Sequence, residues 1–252
     1  MGQLAGAIND MAGTIESNVT ELKSVERLRK ELVANISHDL RTPIASIAGY
    51  TETLKLRDDI EPEQRQEFLE AIYRNAQRLE KMVNDLFELS KLEAKERTIN
   101  PEPTQLGELM VDVVSKYKLL AKKRGVSINT LVTGDLPLVY VDIALIDRVF
   151  QNIIDNALRH TEEGDVINLE INPGAKHVEV RITDTGEGIK EVELPHIFDR
   201  YKRGRATGEG GGLGLAIVKK ILELHEAPIS VASKLKEGTT FRFELPVYQG
   251  AT

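Results

Sequence analysis

Apolar residues recur at helical spacing along the first sixty positions of the chain. Leu4, Ile8, Met11, Ile15, Leu22 and Val25 follow steps of three, four and seven, the seam of a coiled coil. The phase slips near Leu28, and Leu32 and Ile36 continue on a shifted stripe, a change that alters supercoiling locally. "RDDIEPEQ" (57–64) then breaks the pattern, and its Pro62 suits the first turn of a second helix. That helix carries Phe68, Ile72, Ala76, Leu79, Val83, Leu86 and Leu89 along one side. Two long amphipathic helices joined by a short polar loop make a hairpin with an interior too narrow to be stable alone. Pairing with a second copy into a four-helix bundle, hence a homodimer, is expected.

"AKERTINPEPTQ" holds two prolines and few apolar residues, which places a linker at 94–103. Beyond it the pattern changes. "LGELMVDVVSKYKLLAKKRG" predicts a helix ending at Gly125, and "IALIDRVFQNIIDNALRHT" another, with Asp142 as a possible cap. "VSINTLV", "PLVYVD", "VINLEI", "HVEVRITD", "ISVAS" and "TTFRFELP" predict strands, with the helix "GLGLAIVKKILELH" among the last of them. The expected fold is a helical hairpin (25–93) after a coiled-coil segment (1–24). An α/β sandwich follows over 104–248, its mixed sheet layered by helices, with a short tail at 249–252.

Composition narrows the function classes. A net charge of −7 argues against nucleic acid as a partner, which usually leaves a basic footprint. The 252 residues include no cysteine, excluding disulfides, thiol catalysis and cysteine-bound metals. No apolar run is long enough to cross a bilayer, and no signal peptide opens the chain. Aromatics make up only 5%, so the core must be mainly aliphatic.

Two stretches of the second domain suit a nucleotide. "DTGEGI" (184–189) follows a strand, and there glycines permit a tight turn and close approach while Asp184 can accept a bond from an exocyclic amine. "GEGGGLGLAIVKK" (208–220) runs a glycine-rich loop into a helix start, offering backbone N–H groups to phosphates. Asn152, Asn156 and Arg159 lie one turn apart on a single helix face. Amide oxygens suit Mg²⁺ and arginine suits phosphate; the alternative is an ordinary solvated helix face.

"ELVANISHDLRTPIASI" (31–47) concentrates polar chemistry and a proline in a helix. With "QNIIDNALRHT", "DTGEGI", "IFDRYKRG", "GGGLGLAIVKKI" and "EGTTFRFELP", it resembles the sensor histidine kinases of two-component signalling. Their catalytic domain is similar to the ATP-binding family shared with type II topoisomerases and Hsp90. The resemblance spans 25–248, and "GQLAGAINDMAG" at the start is similar to the end of a HAMP linker. It implies the cytoplasmic portion of a membrane receptor, attached to the membrane only through segments outside this sequence.

The resemblance implies that His38 attacks the γ-phosphate of ATP, with Asp39 as the adjacent acid. Thr42 would position water for dephosphorylating a partner, and Arg41 would bind phosphate or structure the helix. Pro43 removes the N–H that would bond the Asp39 carbonyl, so a bend is predicted beyond the nucleophile. Asn156 is the implied Mg²⁺ ligand, assisted by Asn152, with Arg159 and His160 facing the phosphates or the base. Asp184, Gly186, Gly188, Ile189 and Thr240 would serve the nucleotide. A lid would add Tyr201, Lys202 and Arg203, with Arg200 stabilising the transferring phosphate. Gly210, Gly212, Leu213, Gly214 and Leu215 form the second glycine box, and Phe198 anchors the lid in an apolar pocket. The phosphate would then pass to an aspartate on the receiver domain of a response regulator. The other readings are a non-catalytic scaffold holding that regulator and a hydrolysing ATPase. In the related ATPases a glutamate activates water at the position of Asn152, which cannot act as a base. After "ELH" the family commonly has two glycines, where this chain has Glu226, Ala227 and Pro228.

Overall fold

The computed structural model describes Val19, Ala34 and residues 36–57, 59–94, 99–199 and 212–250. The coiled-coil seam, its phase slip, the HAMP-like segment, the lid residues Arg200–Gly210 and the last two residues lie outside that set. The chain forms two compact units, divided between Leu79 and Glu80.

In the first unit, helix α1 covers 36–56 and continues through Pro43. Helix α2 (Pro62–Glu93) opens with Pro62 in its first turn, where the missing N–H is not needed. Tyr50 of α1 and Phe68 of α2 pack with ring centroids 5.3 Å apart. Pro43 and Ala71 are buried, while Ile44, Leu69 and Tyr73 stay exposed to solvent. One hairpin therefore shields little of its own apolar surface.

The covered side of α2 departs from the apolar stripe. Ala71, Met82, Asp85, Leu89 and Leu92 are buried, whereas Ala76 and Val83 are exposed. Leu89 and Leu92 enter the hydrophobic core of the second unit. Burying each contributes about 2 kcal/mol, so the last turns of α2 belong with that unit although the linker composition begins only at Ala94. Asp85 is covered because Arg148 hydrogen-bonds it, and the same guanidinium bonds Glu88 at 3.1 Å. Burial still holds the Asp85 carboxyl above the usual range, against the pull of Arg148. Arg148→Ala leaves that acid covered and loses its closest cation, with an expected cost of about 3 kcal/mol in denaturant unfolding. An Asp85→Leu, Arg148→Met double variant should recover most of the loss. An unchanged midpoint in the single variant contradicts this account.

The second unit layers α3 (Leu106–Lys123), α4 (Ile143–Arg159) and α5 (Gly214–Leu224) over one face of a five-stranded sheet. Strands β2 (Ser127–Val132), β4 (Val166–Pro173), β5 (His177–Asp184), β6 (Ile229–Lys234) and β7 (Gly238–Pro246) lie in the order β2-β4-β5-β7-β6. Only β2–β4 is parallel. A second, two-stranded sheet pairs β1 (Glu102–Thr104) with β3 (Val139–Val141), so part of the expected linker is strand. Alternate residues Ile167, Leu169, Ile171, Val180, Ile182, Phe241 and Phe243 face the helices and are buried. The other face is polar: Arg181 and Arg242 stand directly opposite each other, and Glu179 pairs with both. That shared carboxylate offsets the like-charge contact.

Helix α5 ends in a Schellman motif. The N–H of Ala227 donates to the Leu222 carbonyl and that of Glu226 to the Glu223 carbonyl. The motif needs a left-handed residue at position 226, and Glu226 takes φ 54°. A side chain there costs about 1–2 kcal/mol, partly offset by the extra unfolded-state freedom that glycine would bring. Glu226→Gly should stabilise the fold by about 0.5–1 kcal/mol, visible as a higher melting temperature; a lower one contradicts the strain.

Candidate functional site

In the first unit, His38 sits on α1 with its side chain 80% exposed, and Asp39 is nearly covered at 12%. Their closest approach is 3.5 Å, between His38 Nδ1 and Asp39 Oδ1. The ring nitrogen directed at the acid is thus Nδ1, leaving Nε2 for an electrophile. Thr42, one turn later and exposed, directs its hydroxyl at the His38 carbonyl, 3.4 Å away.

In the second unit, the site begins at α4. Asp142 caps this helix, its Oδ1 accepting the Leu145 N–H at 3.1 Å, as the sequence suggested. Two and a half turns on, Asn152 is buried and its Nδ2 has no hydrogen-bond partner among the described residues. A buried amide donor without an acceptor is costly in an empty fold, which fits a polar ligand at this point. Asn156 follows one turn later, half-buried, and Arg159 is exposed in the last turn. Gly214 opens α5 against Asn152: a Cβ there would lie 3.5 Å from Asn152 Oδ1. Leu213, the N-cap of α5, supplies no side-chain cap, so among the described residues the first N–H groups of the helix suit an anion. Leu213 is buried in the core and Leu215 packs against it, so what this turn can offer a nucleotide is backbone. Gly212, half-buried, adopts φ 63° just before it.

The strand end supplies the acid. Asp184 is 4% exposed, and its Oδ1 accepts the Gly186 N–H at 3.0 Å. Burial pushes its carboxyl above the ordinary range, while the N–H groups of Gly186 and Thr239 and the nearby His160 pull the other way. The glycines after it answer to the protein's own backbone. A Cβ on Gly186 would lie 2.0 Å from the His160 carbonyl oxygen, and one on Gly188 2.1 Å from that of Lys234. His160 itself is engaged: its Nδ1 bonds Glu187 Oε1 at 2.6 Å, and its carbonyl accepts the Glu187 N–H. Ile189 donates its N–H to Ser233 Oγ at 2.8 Å, which ties the loop to the β6–β7 hairpin.

Thr240 is paired with Thr183 on the polar face of the sheet, away from Asp184. Thr239, buried and directly across from Asp184, occupies the face with the acid. Strand parity carried that signal: Phe241, Phe243 and Leu245 face inward, so position 239 does too. Phe198 packs edge-on against Phe241, ring centroids 6.4 Å apart. Arg200, Tyr201, Lys202, Arg203 and Gly210 fall outside the described residues.

The donor set is an unpartnered buried amide, a buried carboxylate and an uncapped helix start. It fits a nucleotide with a hard divalent cation, since amide oxygens are hard ligands.

Residues 28–95 match the family described as the His Kinase A (phospho-acceptor) domain. Residues 141–249 match the histidine kinase-, DNA gyrase B- and HSP90-like ATPases. The chain is 34% identical over 246 residues to Drug sensory protein A of Synechocystis, covering 92% of this chain and 37% of that protein. It thus spans about two fifths of that curated relative's length. Histidine kinase ThkA, solved in complex with response regulator protein TrrA, superposes with a TM-score of 0.73 at 26% identity, over 86% of this chain and 61% of that one. ShkA in complex with AMPPNP gives 0.66 at 26% identity, over 88% and 47%. Two successive family matches, in the order and over the stretches that hold the histidine and the nucleotide set, make this chain a member of the sensor histidine kinases.

Proposed function

We propose that the chain is an ATP-dependent protein-histidine kinase that phosphorylates itself on His38 and passes the phosphate to an aspartate of a response regulator. The observation that carries this reading is His38 itself, exposed on a helix with one ring nitrogen turned to a covered acid. In the transfer, His38 Nε2 forms a bond to the γ-phosphorus of ATP as the bond to the ADP oxygen breaks. The imidazole's Nδ1 proton is drawn toward Asp39, which fixes the tautomer and balances the charge. Asp184 holds the adenine amino group, with Thr239 beside it rather than Thr240. Asn156 and Asn152 would hold Mg²⁺, which supplies charge neutralisation on the phosphates when bound. Asn152 has no basic atom to activate water, which favours transfer over hydrolysis. The ShkA complex with AMPPNP and the ThkA complex with TrrA support nucleotide and regulator as ligands. The exposed hydroxyl of Thr42 would position water for the reverse task, dephosphorylating the regulator. The thin interior of the hairpin supports a homodimer.

The test is incubation of the chain with Mg²⁺ and ATP labelled on the γ-phosphate. Acid-labile, base-stable label on the protein is expected, followed by its transfer to a cognate receiver domain. Tight ATP binding without any such label would overturn the kinase reading.

A further inference from the structure

His225 is the one buried histidine among the described residues, 6% exposed at the end of α5. Its two ring nitrogens have different partners. Nδ1 lies 2.8 Å from the Ile221 carbonyl, which can only accept, so Nδ1 carries the proton. Nε2 receives the Asp142 N–H at 3.0 Å, so it must be bare. The geometry fixes one neutral tautomer. Asp142 is in turn a junction: its carboxylate caps α4 through Leu145 and also accepts the N–H of Asn100 at 3.1 Å.

We infer that His225 is a positioning residue that pins the register of α5 against α4 and so sets the nucleotide site at the far end of the pair. The inference rests on the nucleotide reading above. The two helices run antiparallel in contact: the end of α5 meets the start of α4 at His225–Asp142, and the start of α5 meets Asn152 at Gly214. From Asp142 to Asn152 and from Gly214 to His225 are about 15 and 17 Å of helix at 1.5 Å per residue. The spans match, so the pin and the site form the two ends of one ladder. Apolar packing between the helices resists separation, but it is non-directional and leaves sliding and rotation weakly fixed. A directional bond from the backbone N–H of Asp142, the N-cap of α4, supplies the missing constraint. The N–H groups that open α5 are thereby held at a set height beside Asn152.

Two side chains separate the two bonds. In His225→Gln, the amide oxygen falls near the place of Nε2 and can still accept from Asp142. His225→Asn is shorter; its amide falls near Nδ1 and keeps only the bond within α5. ATP affinity measured calorimetrically on the full chain should stay near the parent value in the glutamine variant. It should weaken about tenfold in the asparagine variant, the size of one lost hydrogen bond, with both variants folded by circular dichroism. Equal ATP affinities in the two would overturn the pin. Independently, ¹⁵N imidazole shifts of the parent chain should show a protonated Nδ1 and a bare Nε2 at neutral pH; the opposite tautomer would overturn it too. A parent chain that binds no ATP sinks the nucleotide reading instead, and the tautomer measurement then decides the pin.

Discussion

His38→Ala should abolish acid-labile labelling completely while leaving ATP affinity as it was. The two halves of this result come from different parts of the chain. The imidazole is the only neutral nitrogen nucleophile the box at 36–43 offers, since Arg41 is permanently charged and Thr42 and Ser37 are hydroxyls. A phosphorylated hydroxyl would yield an acid-stable, base-labile ester, so the chemistry of any residual label identifies its source. On the proposed reading ATP affinity is set in the second unit by Asp184, Asn152, Asn156 and the start of α5, none of which is touched. Residual acid-labile label in the variant would move the nucleophile elsewhere. Loss of ATP binding would show that the substitution had damaged more than the reaction. A His38→Gln chain, still polar and helix-compatible, checks that the loss belongs to the imidazole.

The second large effect is expected at Asp184. In Asp184→Asn, one carboxylate oxygen that would accept from the adenine amine becomes an amide, and ATP affinity should fall about a hundredfold. That is the loss of a hydrogen bond to a charged acceptor, at about 1.5–3 kcal/mol. The same change should raise the melting temperature of the ligand-free protein. The sign follows from proton linkage. Burial raises the folded-state value of this carboxyl above that of the unfolded chain. The folded state therefore holds the proton more tightly, and stability is lost as pH rises from the ordinary carboxyl range through the raised one. Above the raised range that cost is fully present, and an asparagine does not carry it. The melting-temperature gain should accordingly shrink as the pH is lowered. A variant that binds ATP normally, or that melts lower at neutral pH, would show that Asp184 is structural.

Much of this arrangement is legible in the sequence, because period-two and period-3.6 patterns report which face is covered. Strand β5 falls at 177–184 as expected, and α4 starts at its predicted cap. What escaped the pattern has physical reasons. Apolar spacing cannot say what covers a face, so the passage of α2 into the second unit at Glu80 was invisible, as was a buried Asp85 that Arg148 satisfies. Strand β1 is three residues containing Pro103, too short and too proline-marked to look like a strand. Thr239 and Thr240 are chemically identical neighbours, and only their parity with Phe241 separates them. His225 reads in the sequence only as the last residue of a predicted helix, and the Asp142 N–H it accepts lies 83 residues away.

The crowding at Gly186 bears on how such a site can change over time. A methyl there would collide with the His160 carbonyl at the end of the helix that carries Asn152 and Asn156. The loop proposed to select the base and the helix proposed to hold the metal are therefore one mechanical part. Drift at position 186 would disturb both tasks at once, so selection sees such a variant as a misfolded protein before it sees one with altered nucleotide preference. New base selectivity has to arise through side chains that line the cleft, with this joint left untouched.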